Sequence, residues 1–198
     1  IRHPDFEQII EYHETEIEIL IARLTGQIPN GKRIWYQKHM CHHMGETSDL
    51  SWIKSLKNCF LIRDPAEVIS SLSRITDSIN LHMTGLPQQM RILNYIEMNF
   101  QGKSPIVDSR DILENPRAIL QSLCENIEVP FSEEMLSWKR GPKDCDGIWA
   151  KHWYSSVWRS SGFIPYSKRE IHLSDEHRKV LSEATPIYNE LRRNRLIA

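Results

Sequence analysis

Apolar positions along this chain follow two rhythms. From residue 4 to 24, Phe6, Ile9, Ile10, Ile17, Leu20, Ile21 and Leu24 fall mostly three and four residues apart, which predicts a helix with one buried face. Cys59-Phe-Leu-Ile62 is instead a short unbroken apolar run without Gly or Pro, and predicts a buried strand over 58–62. The helical rhythm then returns at once: Val68, Leu72, Ile75 and Ile79 form the inward stripe of a helix over 65–78. Asp64, Pro65 and Glu67 at its cap, first and third positions make a carboxylate version of the capping box. Further helices are predicted from Pro87 to about Asn99, over 115–127 behind the Asn115-Pro116 start signal, and from the Ser174 cap to about Arg193. A shorter helix is expected near 49–57. Arg33-Ile-Trp-Tyr-Gln37 and Ser104-Pro-Ile-Val-Asp108 read as short strands, Gly26–Gly31 as a loop, and 38–48 as a polar, His-rich segment.

Strands alternating with helices predict an α/β fold with a mostly parallel sheet, in a single domain over 1–198. Three strands are few for such a sheet, and the chain opens on Ile1 rather than Met. A first β-α unit is therefore expected ahead of Ile1, in a longer polypeptide.

With 198 residues, 40% of them hydrophobic and 26% charged, the chain can bury a core without staples. A net charge of −1 supplies no global field toward nucleic acid or membrane, and no apolar run reaches membrane-spanning length. Charge is nevertheless uneven: residues 1–20 carry six acids against one base, and 139–198 twelve bases against seven acids. The basic C-terminal third is the part suited to an anionic ligand, and solvated surface accounts for most of its charges. Cys41, Cys59, Cys124 and Cys145 form no CxxC pair; with Cys59 in a predicted buried strand, they read as reduced thiols of a cytoplasmic protein.

Four stretches carry candidate chemistry. Gly26-Gln-Ile-Pro-Asn-Gly31-Lys32-Arg33 matches most of a phosphate-binding P-loop, but a helix precedes it, a strand follows it, and Arg33 replaces the hydroxyl residue. It reads as a turn. Lys38-His39-Met-Cys-His42-His43 gathers imidazoles after a predicted strand. A general base fits there, because an imidazole accepts protons near neutral pH. A His-ligated metal hydrolase is the other chemistry considered, although HExxH and further ligand spacing are missing. His42 and His43 also suit plain local hydrogen bonding. Arg63 is left at a strand's carboxyl end beside a helix N-terminus, where open α/β sheets bind ligands and anions are favoured. Its planar fork suits phosphate, and Ser71, one turn beyond Glu67, adds a neutral donor. The plain alternative is an Arg63–carboxylate surface pair and a solvent-facing serine. Lys139-Arg140-Gly141, with Trp138, Trp149 and Trp153 around it, suits a loop closing over an anionic aromatic ligand.

Taken in order, these constellations resemble the sulfotransferases that use 3′-phosphoadenosine 5′-phosphosulfate (PAPS). Arg63-Asp64-Pro65 with Ser71 matches the family's strand-end Arg-(Asp/Asn)-Pro and the serine eight residues after the arginine. The resemblance implies that Arg63 and Ser71 bind the donor's 3′-phosphate, and that Lys139, Arg140 and Gly141 belong to the loop over the nucleotide. It also implies that His39 is the base, with Lys38 assisting at the leaving oxygen. The similarity is closest to a bacterial sulfotransferase-like branch, some of whose members carry an aminotransferase-like label. Ile34-Trp-Tyr-Gln-Lys-His-Met40 and Gly147-Ile-Trp-Ala150…His152-Trp-Tyr154…Arg159-Ser-Ser-Gly-Phe163 fit that branch. Implied with it are a P-loop-NTPase-like three-layer α/β/α architecture, PAPS as co-substrate without a metal, and a small-molecule acceptor. The 5′-phosphosulfate loop is expected ahead of Ile1. The alternative is a degenerate, non-catalytic member that binds a nucleotide or partner.

Overall fold

The structure, a computed structural model, describes residues 4–100 and 102–198. In chain order its helices and strands are α1 (Phe6–Tyr12), α2 (Ile17–Thr25), β1 (Phe60–Ile62), α3 (Pro65–Leu72), α4 (Leu86–Asn99), β2 (Ile106–Asp108) and α5 (Ser109–Glu114). They continue with α6 (Pro116–Asn126), α7 (Ala150–Trp153), α8 (Ser155–Arg159) and α9 (Asp175–Arg193). These elements gather into two compact units. One holds the chain up to Trp35 with Ser132–Ile164, and the other holds Tyr36–Phe131 with Pro165–Ala198.

In the second unit β1 and β2 pair in parallel, Phe60 with Ile106 and Ile62 with Asp108, so the α/β reading with a parallel sheet holds. A parallel pair needs a crossover, and α3 and α4 lie within it. β2 is buried along its length, whereas Leu61 in the middle of β1 is exposed. One outward carbonyl of each strand is occupied: Gln89 Nε2 donates to Leu61 O at 3.1 Å, and the Leu196 backbone amide to Ile106 O at 2.8 Å. Covering outward strand atoms in this way blunts edge pairing. The core joins Phe60, Ile62 and Ile106 to Leu86, Ile92, Leu93 and Ile96 of α4 and to Ala184, Tyr188 and Leu191 of α9. The α9 positions fall four and three apart, and in α4 Ile96 lies four and three residues after Ile92 and Leu93, the stripe a half-buried helix presents.

Several expectations change. The first predicted helix forms as two, with extended His13 between α1 and α2. Residues 13–16 are all polar, and Glu14 Oε1 accepts from the Thr15 and Glu16 amides, each at 2.9 Å, an alternative to helical bonding. Helix α3 stops at Leu72, and its buried positions are Pro65 and Ile69, while Ile75 is exposed. Ser73 Oγ, donating to Ser70 O at 3.1 Å, belongs to the serine-rich end that shortens it. Residues 33–37 are not a strand: among the described residues only β1 and β2 form the sheet, and a strand exists only with a partner. The Gly26–Arg33 stretch is a turn as expected, with Asn30 and Gly31 left-handed at φ 58° and 61°. Cys59, predicted buried, is exposed, and all four cysteines are free thiols.

In the first unit the Trp149 ring lies 5.1 Å from His13, and Trp138 meets Phe163 edge-on at 5.4 Å. Asp5 Oδ2 sits 2.7 Å from both Lys151 Nζ and His152 Nε2, tying the start of α1 to α7. Lys151 first, then His152, hold that carboxyl below its ordinary range.

Candidate functional site

Both strands of the second unit end at one level and run straight into helices. Asp64 caps α3 by accepting Ala66 N at 2.8 Å, and Asp108 caps α5 by accepting Arg110 N at 2.9 Å. Beyond these ends lies a crevice of about 180 Å³, lined by Asp64, Glu67, Arg110, Tyr166, Tyr188 and Arg192 among others. The carboxyl ends of parallel strands are where such sheets place ligands.

Arg63 follows β1 directly. Its Nε donates to Glu67 Oε2 at 2.8 Å, one turn along α3, and its side chain is 51% exposed. The other oxygen of Glu67 accepts the Tyr166 hydroxyl at 3.0 Å. Glu67 therefore does not turn back onto the cap as the capping-box reading expects, because the i,i+4 charge-assisted bond to Arg63 takes the carboxylate. Ser71 is exposed near the end of α3. Neither Arg63 nor Ser71 is among the residues lining the crevice; Glu67 lines it and bonds Arg63.

At the end of β2, Asp108 is 1% exposed. Its Oδ2 accepts the Tyr188 hydroxyl at 2.6 Å and faces Arg192 Nε at 3.3 Å. A buried carboxylate persists when it is hydrogen-bonded and paired, and here it has both. Burial first, then the Asp108 bond, push the Tyr188 phenol above its ordinary range. Arg110 donates Nε to Glu114 at 2.7 Å and holds its guanidinium 4.8 Å above the Tyr166 ring. Burial, followed by the bond to Glu67, also raises the Tyr166 phenol.

Lys38 and His39 sit on the extended segment before the 3₁₀ turn Cys41–His43, and both are exposed. His39 Nε2 is 3.1 Å from Gln37 Oε1, and its ring stands edge-on to Trp52 at 5.9 Å. The protein around the ring removes enough water to hold the imidazole below its ordinary value, favouring the neutral, proton-accepting form. The rings of His42 and His43 meet edge-on at 4.5 Å; desolvation first, then the charge of His43, lower His42. Among the described residues no group of three His, Cys, Asp or Glu side chains is arranged to hold a metal ion.

Lys139, Arg140 and Gly141 lie in the first unit, on a loop between short ties. Trp138 N donates to Ser161 O at 3.1 Å, and Gly141, at φ +98°, donates to Trp158 O at 2.8 Å. Lys143 Nζ donates back to the Lys139 carbonyl. Asp146 gathers Lys143 N at 2.8 Å and Trp158 Nε1 at 2.9 Å, and these bonds lower its carboxyl. Lys139 and Arg140 are exposed on this frame. Gly147 is required by packing: a Cβ there would stand 2.4 Å from the Trp149 ring.

The sequence offered an Arg63–carboxylate pair as the plain alternative, and Glu67 is that carboxylate. Tyr166, Tyr188 and Arg192 carried no local signal, since they reach the crevice from the chain's last segment.

Residues 1–195 match the family described as "Sulfotransferase domain". "Branched-chain-amino-acid aminotransferase-like protein 2" of Arabidopsis thaliana is 33% identical over 167 residues, 83% of this chain and 29% of that protein. "Branched-chain-amino-acid aminotransferase-like protein 1" of the same plant is 32% identical over 164 residues, 81% of this chain and 29% of that protein. The chain thus spans less than a third of the length of these curated relatives. No solved structure matches it at a significant level.

Proposed function

The chain belongs to the sulfotransferase-domain family, and on that premise we propose that it transfers a sulfuryl group from PAPS to a hydroxyl or amine of a small-molecule acceptor. The observation that carries this reading is the position of Arg63: a half-exposed guanidinium at the carboxyl end of a parallel strand, beside a capped helix start. We read the β1–β2 pair and its helices as part of a P-loop-type three-layer α/β/α sheet.

The residues present fit the 3′-phosphate end of the donor. Arg63 offers a planar fork and Ser71 an exposed hydroxyl. Lys139, Arg140 and Gly141 are assigned to the nucleotide by motif order. When bound, PAPS supplies an activated sulfuryl group on an adenosine bisphosphate leaving group. His39 takes the proton of the acceptor's hydroxyl or amine, and the freed electron pair forms the new bond to sulfur as the sulfur–oxygen bond to phosphate breaks. Lys38, next to the base, places a cation for the charge left on that oxygen; its contribution is position and electrostatics rather than covalency. The aminotransferase-like label belongs to the two longer relatives and is not carried over.

The test is transfer of labelled sulfate from PAPS to a panel of phenols, alcohols and amines. Label in an acceptor, lost in His39→Ala, supports the proposal. Nucleotide binding without transfer to any acceptor marks the degenerate member instead.

A further inference from the structure

We propose that Tyr166 is a positioning residue for Arg63, acting through Glu67; this rests on the reading of Arg63 as the contact for the donor's 3′-phosphate. The Arg-Asp-Pro and Ser motif assigns no part to Tyr166, which lies 99 residues from Glu67 in sequence.

Glu67 is the joint between Arg63 and Tyr166. Its side chain is only 20% exposed, so water does not hold its orientation. Two donors do: Arg63 Nε on Oε2 at 2.8 Å and the Tyr166 hydroxyl on Oε1 at 3.0 Å. A carboxylate gripped on both oxygens cannot rotate without breaking one bond. Arg63 is thereby held by its Nε edge, and that choice of edge matters. A guanidinium fixed through Nε keeps its two terminal amino groups as a fork for phosphate oxygens. Were Glu67 to take those amino groups instead, the fork would be lost to the ligand.

Tyr166 is itself held. Its ring lies 4.8 Å beneath the Arg110 guanidinium, and Arg110 Nε is tied to Glu114 at 2.7 Å. The contacts Arg63–Glu67–Tyr166–Arg110–Glu114 therefore link the starts of α3 and α5, with one residue from the C-terminal segment as the bridge. Removing the hydroxyl leaves Glu67 Oε1 without this donor in a mostly buried position, which favours a turn of the carboxylate toward water.

Tyr166→Phe isolates this effect, because phenylalanine keeps the ring beneath Arg110 and removes only the hydroxyl. The experiment measures Arg63 Nε–H exchange by NMR, and affinity for adenosine 3′,5′-bisphosphate and for 5′-AMP, in wild type and variant. The expected result is faster Nε–H exchange with a roughly three- to tenfold weaker bisphosphate affinity, the yield of one lost hydrogen bond, and unchanged 5′-AMP affinity. Unchanged bisphosphate affinity overturns the proposal, as does an equal loss for both nucleotides, which a general structural defect would cause. If wild type binds no bisphosphate while the variant still accelerates Nε–H exchange, the Tyr166–Glu67 hold on Arg63 stands and the donor reading falls.

Discussion

The Tyr188 hydroxyl lies 2.6 Å from Asp108 Oδ2, joining the long C-terminal helix to the end of β2 at a carboxylate that is 1% exposed. Asp108 also caps α5 through Arg110 N. One buried acid thus fixes a strand end, a helix start and the last helix. Tyr188→Phe removes one donor from it, and the expected loss is about 1–3 kcal/mol of folding stability. Urea denaturation checks this; an unmoved midpoint would show that the bond contributes nothing net.

The same tyrosine predicts an alkaline weakness. Its folded pKa lies above the ordinary 10.0, chiefly through burial, so the folded state holds the phenolic proton more tightly than the unfolded state. Stability from this source is complete below 10.0 and is lost as pH rises above it. Tyr188→Phe, though less stable at neutral pH, is expected to fall less steeply through that alkaline range. Parallel wild-type and variant curves would refute the assignment.

As the proposed base, His39 is expected to set the acid limb of activity. Desolvation holds its pKa below 6.5, so the neutral base persists to lower pH than a free imidazole would. The acid limb of kcat/KM against pH is expected to fall below 6.5, and His39→Ala to remove activity by roughly 10²- to 10⁴-fold. A limb above 6.5 that survives the substitution assigns the base elsewhere.

Gly147→Ala tests the frame of the basic loop. The added methyl would stand 2.4 Å from the Trp149 ring, which packs beside His13 at 5.1 Å. The indole must move, at an expected cost of about 1–3 kcal/mol for overpacking. Tryptophan fluorescence and thermal melting would report it; an unaltered spectrum and melt would mean that the ring yields freely.

How much of this was legible in the sequence depended on the range of the interaction. The strand, the Asp64-Pro65 helix start and Arg63 at the junction were readable, because their determinants are neighbours in sequence. The break at His13 was missed because Ile9, Ile10 and Ile17 keep a helical rhythm across a polar link. Residues 33–37 have strand-like composition, yet no partner strand pairs with them among the described residues. The length of α3 was misjudged because Ile75 and Ile79 extend the apolar pattern past a serine-rich end. Glu67 was placed correctly on its helix, and its i,i+4 bond to Arg63 is local, but its second bond goes to a tyrosine 99 residues away, which no local pattern encodes.

Calorimetry with adenosine 3′,5′-bisphosphate on wild type and Arg63→Ala tests most directly whether Arg63 holds the donor's 3′-phosphate. Saturable binding by wild type is expected, with a loss of about 1.5–3 kcal/mol, roughly 10- to 150-fold, in the variant. Arg63→Lys should not restore it fully, because a point charge lacks the planar fork. Absence of binding by wild type, or equal affinity in wild type and Arg63→Ala, would rule out Arg63 as the 3′-phosphate contact.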